Sequence, residues 1–156
     1  MDGELRKMPK LLILYYSRTG NTKKMAKAVA EGAKTIPNVD VKLKYYATPG
    51  ELAEADAIIL GTPTYHHDTT LDMKNLLEEA AVREINLKDK IGATFGSYGW
   101  SGEAPDLLLE IMKNRFKMKT IQPSLRIRYT PDEKGLEECR KLGKNVAEKI
   151  AKPHQN

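Results

Sequence analysis

The stretch YYSRTGNTKKMA, Tyr15 to Ala26, decides how the rest of the chain is read. It joins the apolar run KLLILYY, Lys10 to Tyr16, to a segment in which Met25, Val29, Gly32 and Ala33 fall on one helical stripe. A run apolar at nearly every position suits a strand covered on both faces, as in a parallel sheet. The turn between them gathers four short polar side chains, Ser17, Thr19, Asn21 and Thr22, around Gly20, which admits a positive backbone angle. With the unpaired N–H groups and partly positive end of the helix that follows, these residues describe a phosphate cradle. An ordinary strand-to-helix turn capped by Thr22 is the simpler alternative. Four hydroxyl or amide side chains exceed what one cap needs. The loop matches neither GxxxxGK[ST] nor GxGxxG, which sets aside the P-loop and the dinucleotide fingerprint.

Working outward, strand-like and helix-like segments alternate. VDVKLKYY, Val39 to Tyr46, places Val39, Val41, Leu43 and Tyr45 on one face and suits an edge strand with one wet side. ADAIIL, Ala55 to Leu60, and KIGATFG, Lys90 to Gly96, are again apolar throughout, and a weaker strand between Thr120 and Tyr129 is interrupted by Pro123. Helical stripes lie between them: Met73, Leu76, Leu77 and Ala80; then Leu107, Leu108, Ile111 and Met112; and the clearest, Leu136, Cys139, Leu142, Val146 and Ile150. Pro49 to Ala55 has room for a small helix only. The alternation predicts an α/β fold, a three-layer sandwich in which a five-stranded parallel sheet of order 2-1-3-4-5 carries helices on both faces through right-handed crossovers.

In such a sheet, ligands bind beyond the carboxyl ends of the strands where the strand order reverses. SRTGNT after the first strand, GTPTYHHDTT after the third and GSYGWSGEAP after the fourth would converge there. In the last of these, Gly96, Gly99 and Gly102 allow close backbone approach to a flat ligand, while Tyr98 and Trp100 offer faces for stacking. The competing reading packs Trp100 against the surface or a partner chain. The middle loop adds Thr62, Thr64 and Tyr65 around Pro63, and alone it reads equally well as a helix entry.

These loops resemble those of the flavodoxin family. YYSRTGNTKKMA matches every fixed position of the T/S-x-T-G-N-T phosphate loop, and GTPTYHH and FGSYGWSGEA are similar to the other two flavin-contacting loops. The similarity is greatest to the flavodoxin domain of the flavo-diiron (A-type) flavoproteins, and it runs from about Lys10 to Lys152. The resemblance implies a flavodoxin-like fold that binds FMN without a covalent bond and transfers electrons. It implies that Ser17, Thr19, Gly20, Asn21 and Thr22 bind the phosphate. Thr62, Pro63, Thr64 and Tyr65 would line the isoalloxazine and ribityl chain, with Ser97, Tyr98, Gly99 and Trp100 closing the other side and Gly102 in the same loop. Arg18 departs from the usual neutral or acidic middle of the phosphate loop, and either adds charge to phosphate binding or points to water. His66 and His67 raise the prospect of an imidazolium near the flavin. Many flavodoxins flip a peptide at a glycine in the third-strand loop; Thr62 to Asp68 contains none, so the flip is expected to be hindered and the semiquinone less stabilised, because positive backbone angles are costly for Tyr65, His66 or His67. The di-iron domain has no counterpart in these residues, so oxygen or nitric-oxide reduction is not implied.

Composition bounds the function classes. The 156 residues suit a single domain spanning 1–156, with 40% hydrophobic and 30% charged residues of mixed sign. No run approaches the roughly 20 apolar residues that span a bilayer, and Met1 to Lys10 lacks the apolar core of a signal peptide, so the expected location is the cytoplasm, away from any membrane. Lysines and arginines are spread among acids rather than gathered in an arm, which argues against nucleic acid. The net charge of +5, opposite to the acidic habit of typical flavodoxins, suits redox partner proteins of acidic character. The single cysteine, Cys139, lies on a core stripe and offers neither an internal disulfide nor a metal cluster.

Three functions follow from different classes. An electron carrier would shuttle electrons between redox proteins with no catalytic residues of its own. An FMN-dependent NAD(P)H or quinone reductase would need room over the ring for a second planar molecule, commonly built between the chains of a homodimer, whereas a carrier works as a monomer. A flavin-free interaction module is disfavoured by the intact phosphate loop.

Overall fold

A computed structural model describes residues 8–151. The elements run β1 (Lys10–Tyr15), α1 (Asn21–Ala33), β2 (Asp40–Lys44), α2 (Pro49–Glu54), β3 (Ala57–Gly61), α3 (Leu71–Val82), β4 (Ile91–Tyr98), α4 (Ala104–Glu110), a π-helical turn (Ile111–Arg115), β5 (Lys119–Thr120), β6 (Leu125–Arg128) and α5 (Glu133–Ala151). All strand pairings are parallel, in the order β2-β1-β3-β4-β5, with β6 also paired to β4. The expected sheet is therefore present, with one addition.

That addition has a local cause. β5 pairs Lys119 and Thr120 with Ile91 and Gly92, and β6 pairs Leu125 to Arg128 with Phe95 to Tyr98. Residues 121 to 124 thus stand opposite only Ala93 and Thr94, and the fifth strand bulges where Pro123, with no N–H to give, cannot join the ladder.

Successive side chains of β1 feed opposite layers. Leu11, Ile13 and Tyr15 join Met25, Val29, Phe95, Cys139 and Val146 beneath α1 and α5. Leu12, Leu14 and Tyr16 join Leu52, Met73, Leu77, Leu108 and Met112 beneath α2, α3 and α4. Each fully buried leucine, isoleucine or methionine contributes about 1.5–3 kcal/mol, so both layers anchor the sheet beneath its loops. β2 lies at the edge, where Val39, Val41 and Leu43 cover one face and polar residues meet water. α1 and α5 cross in backbone contact: a Cβ on Gly32 would strike the carbonyl of Arg140, and one on Gly143 the carbonyl of Val29.

One short helix forms as expected and one longer helix turns its face. The small helix at Pro49–Glu54 forms behind a capping box between Thr48 and Glu51. In α4 the buried face is Leu108, Leu109 and Met112, while Leu107 is exposed; the buried stripe keeps helical spacing but runs through Leu109 in place of Leu107, and the helix passes into a π-helical turn at Ile111. No described helix is long and apolar enough to cross a membrane.

Candidate functional site

The loop after β1 is closed by its own serine. Ser17 Oγ accepts hydrogen bonds from the N–H of Gly20 (3.0 Å) and of Lys23 (3.3 Å). Gly20 stands at the N-cap of α1 with φ 99, a left-handed angle that a side chain would oppose. Thr22 is not the cap. It lies inside the first turn, fully buried, with Oγ1 2.9 Å from Ser97 Oγ at the end of β4. The serine serves as the capping group instead, and the threonine ties the first loop to the fourth strand. Among the described residues, the backbone N–H groups of Thr19, Asn21 and Thr22 have no acceptor within the protein, while that of Arg18 faces the Tyr65 hydroxyl. Three free donors at a positive helix end make an anion seat.

The loop after β3 is anchored from below. Thr62, wholly buried, directs Oγ1 to the Pro63 carbonyl (2.8 Å) and to Thr69 Oγ1 (2.7 Å). Beyond it the chain makes a tight turn in which Tyr65 N–H donates to the Asp68 carbonyl (2.8 Å) and Asp68 N–H returns a bond to the Tyr65 carbonyl (2.9 Å). The central residues are His66 at φ 51 and His67 at φ 64. Positive angles are therefore adopted here without glycine, despite their cost for histidine; the paired backbone bonds impose the primed turn that such angles close. Burial is what chiefly raises the Tyr65 phenol above its usual pKa, although Arg18 opposes it. Arg18 is exposed, and its guanidinium lies over the Tyr65 ring, 4.8 Å from the centroid.

The loop after β4 presents one exposed aromatic and several fixed contacts. Trp100 is 82% exposed, with its ring centroid 5.1 Å from that of His67. Tyr98 turns onto Gly102, where a Cβ would clash with its ring. The Gly99 carbonyl accepts a hydrogen bond from Arg128 Nε at 3.1 Å, and a Cβ on Gly96 would strike the Thr62 carbonyl. Glu103 meets His67 Nδ1 at 2.7 Å through Oε2. Hydrogen bonds from Ser101 first, and then from His67, hold the Glu103 carboxyl down to about 2.

Two clefts open at this end of the sheet. One, of about 350 Å³, lies between the third and fourth loops and is lined by Arg18, Thr64, Tyr65, His66, Trp100 and Ser101. The other, of about 700 Å³, shares Arg18, Tyr65 and His66 with it and extends past Ser17, Tyr45 and Leu71. The three loops do converge. Of the residues singled out in the sequence, Ser17, Arg18, Thr64, Tyr65, His66 and Trp100 line a cleft. Thr62, Pro63 and Ser97 are buried beneath the loops and shape them. Sequence reasoning missed Ser101 and Glu103, although both lie inside the quoted fourth loop. It also missed Tyr45, whose hydroxyl donates to the Ser17 carbonyl at 3.3 Å; its one signal was its place just past the strand that neighbours β1.

Comparison with known proteins agrees with this geometry. The flavodoxin family model matches residues 13–143, and the chain belongs to the flavodoxin family, whose cofactor is FMN. It is 40% identical over 147 residues to the type A flavoprotein fprA of Rhodobacter capsulatus, covering 90% of this chain and 33% of that protein. It is 35% identical over 112 residues to a flavodoxin of Clostridium saccharobutylicum, covering 70% of this chain and 69% of that one. The chain spans about a third of the length of the type A flavoprotein it matches. A solved flavodoxin from the domain Archaea superimposes with a TM-score of 0.83 at 43% identity, covering 90% of this chain and 98% of that one.

Proposed function

We propose that this chain holds FMN and passes electrons between redox partner proteins. The observation that carries this reading is the set of N–H groups at Thr19, Asn21 and Thr22 left without an acceptor at the start of α1. A phosphate dianion satisfies such donors, and the partly positive helix end offsets part of the cost of taking it out of water. The residues present fit the group. Ser17, Thr19, Gly20, Asn21 and Thr22 would hold its phosphate, and the cleft between Tyr65 and Trp100 offers aromatic walls to a planar ring. Bound there, FMN supplies one- and two-electron transfer. The chain's own work is to grip, orient and shield: Thr62 and Ser97 brace the loops from beneath, and Arg18 stiffens the Tyr65 wall. The net charge of +5 favours association with acidic partners.

Titration of the FMN-free protein with FMN, followed by anaerobic reduction, tests this. FMN is expected to bind at one site per chain, and a low-potential protein donor is expected to bleach it while NADH and NADPH do so slowly. Rapid bleaching by a nicotinamide, with turnover on a quinone, would make the chain a reductase. Refusal of FMN would leave the fold as an interaction module.

A further inference from the structure

His67 occupies a backbone position that rarely accepts a histidine. Its φ of 64 follows another left-handed residue, His66, in a turn where Asn-Gly or Gly-Gly fits with less strain. Such strain persists where the surroundings impose it, and here they do. The reciprocal Tyr65–Asp68 backbone bonds close the turn, Asp68 is held by Lys74, and the Asp68 carboxylate also accepts the Thr69 N–H at 2.7 Å. The result is to bring the imidazole beside the smaller cleft, against Trp100 and Ser101, which line it.

What the imidazole meets is specific. Its Nδ1 donates to Glu103 Oε2 at 2.7 Å, with Ser101 Oγ 3.3 Å from the same nitrogen. Its ring stands 5.1 Å from the Trp100 indole, tilted by 59°. A second bond joins the same two loops nearby, from the Ala104 N–H to Thr64 Oγ1 at 3.0 Å. Glu103 sits at the N-terminal end of α4 and is kept ionised by Ser101 and His67, so the acceptor remains charged at any ordinary pH.

The position of the pair decides what it can do. The side chains are 55% and 44% exposed, and an ion pair so open to water adds little to global stability. Its effect is local instead, because each partner is fixed to a separate loop bounding the cleft. We propose that His67 and Glu103 form a clasp that sets the spacing of the third and fourth loops around the cleft, with His67 also orienting Trp100 at its mouth. Both are positioning residues for the bound cofactor, on the reading that FMN occupies that cleft. The clasp separates two quantities that a plain structural role would move together: it governs affinity and the Trp100 environment while leaving unfolding unchanged.

The test uses H67A, E103A, the double variant and the conservative E103Q, each with three readouts: the urea midpoint, the FMN dissociation constant, and Trp100 emission anisotropy in FMN-free protein. Trp100 is the only tryptophan in the chain, so its emission is unambiguous. Each alanine variant is expected to keep its urea midpoint, to bind FMN about three- to tenfold more weakly, and to lower the Trp100 anisotropy. The double variant is expected to be no worse than either single one, the mark of two residues acting through one contact. E103Q, which keeps an acceptor, is expected to recover most of the affinity. Additive losses in the double variant, or an anisotropy that no variant changes, would overturn the clasp. Failure of the unmodified protein to take up FMN would instead overturn the cofactor reading. The clasp would then be judged on Trp100 alone, standing if the two substitutions act non-additively and falling otherwise.

Discussion

Gly20 has no heavy atom within 4 Å of where a Cβ would stand, so what a side chain would cost there is purely conformational. Gly20→Ala is expected to lose about 1–2 kcal/mol for holding an alanine left-handed, measured by urea unfolding of FMN-free protein, and to weaken FMN uptake as the amides turn away. Glu103 gives a second prediction at this scale. Its carboxyl titrates at about 2 in the folded chain against an unperturbed 4.5, so the folded state favours the ionised form. The stabilisation, slight because the pair is open to water, is present above the unfolded value and disappears as pH falls from about 4.5 toward 2. Carboxyl-carbon NMR should find the midpoint near the lower figure, and Ser101→Ala should raise it by removing the largest cause. The anion seat was legible in the sequence because Ser17, Thr19, Gly20, Asn21 and Thr22 crowd one turn. Their separate tasks were not, since local spacing makes Thr22 a cap while the fold sets it against Ser97, 75 positions away.

Among the elements, the pair α1 and α5 is the most sensitive to added volume. Gly32 and Gly143 let the two backbones touch, and neither the Arg140 carbonyl nor the Val29 carbonyl can rotate aside as a side-chain tip could. Gly143→Ala is expected to push the helices apart and to cost about 1–3 kcal/mol as overpacking does, read as a lower urea midpoint with helix content retained. Strand and helix order could be read from the sequence because the two periods differ sharply: β1 and β3 are apolar throughout, and α5 repeats its stripe over five turns. The split of the last strand was signalled by Pro123, but its two-residue bulge depends on register with β4. The exposure of Leu107 could not be read, because Leu107 and Leu109 flank Leu108 and either one completes a helical stripe with Leu108 and Met112.

At the scale of the whole molecule, burial places Cys139 wholly inside the layer under α1 and α5, and it pushes the thiol up to about 12. A thiol so protonated and enclosed is a poor nucleophile. A disulfide reagent at pH 8 is expected to label it only as fast as the protein unfolds, with the rate rising in Gly143→Ala in step with its lost stability. The fold class was legible from the outset because alternating strands and helices admit few topologies; the pairing of loops across the cleft was not, being a property of the assembled end of the sheet. The joining of α1 to α5 also sets a timetable for biosynthesis. Roughly a hundred residues separate their contact points, which at about 5–20 residues per second is roughly 5–20 seconds of translation. Throughout that interval Leu11, Ile13, Met25 and Val29 have one another but lack the cover that Cys139, Val146 and Ile150 later give them. The helix that supplies it follows every strand, so this face of the sheet stays half-closed until that helix has emerged.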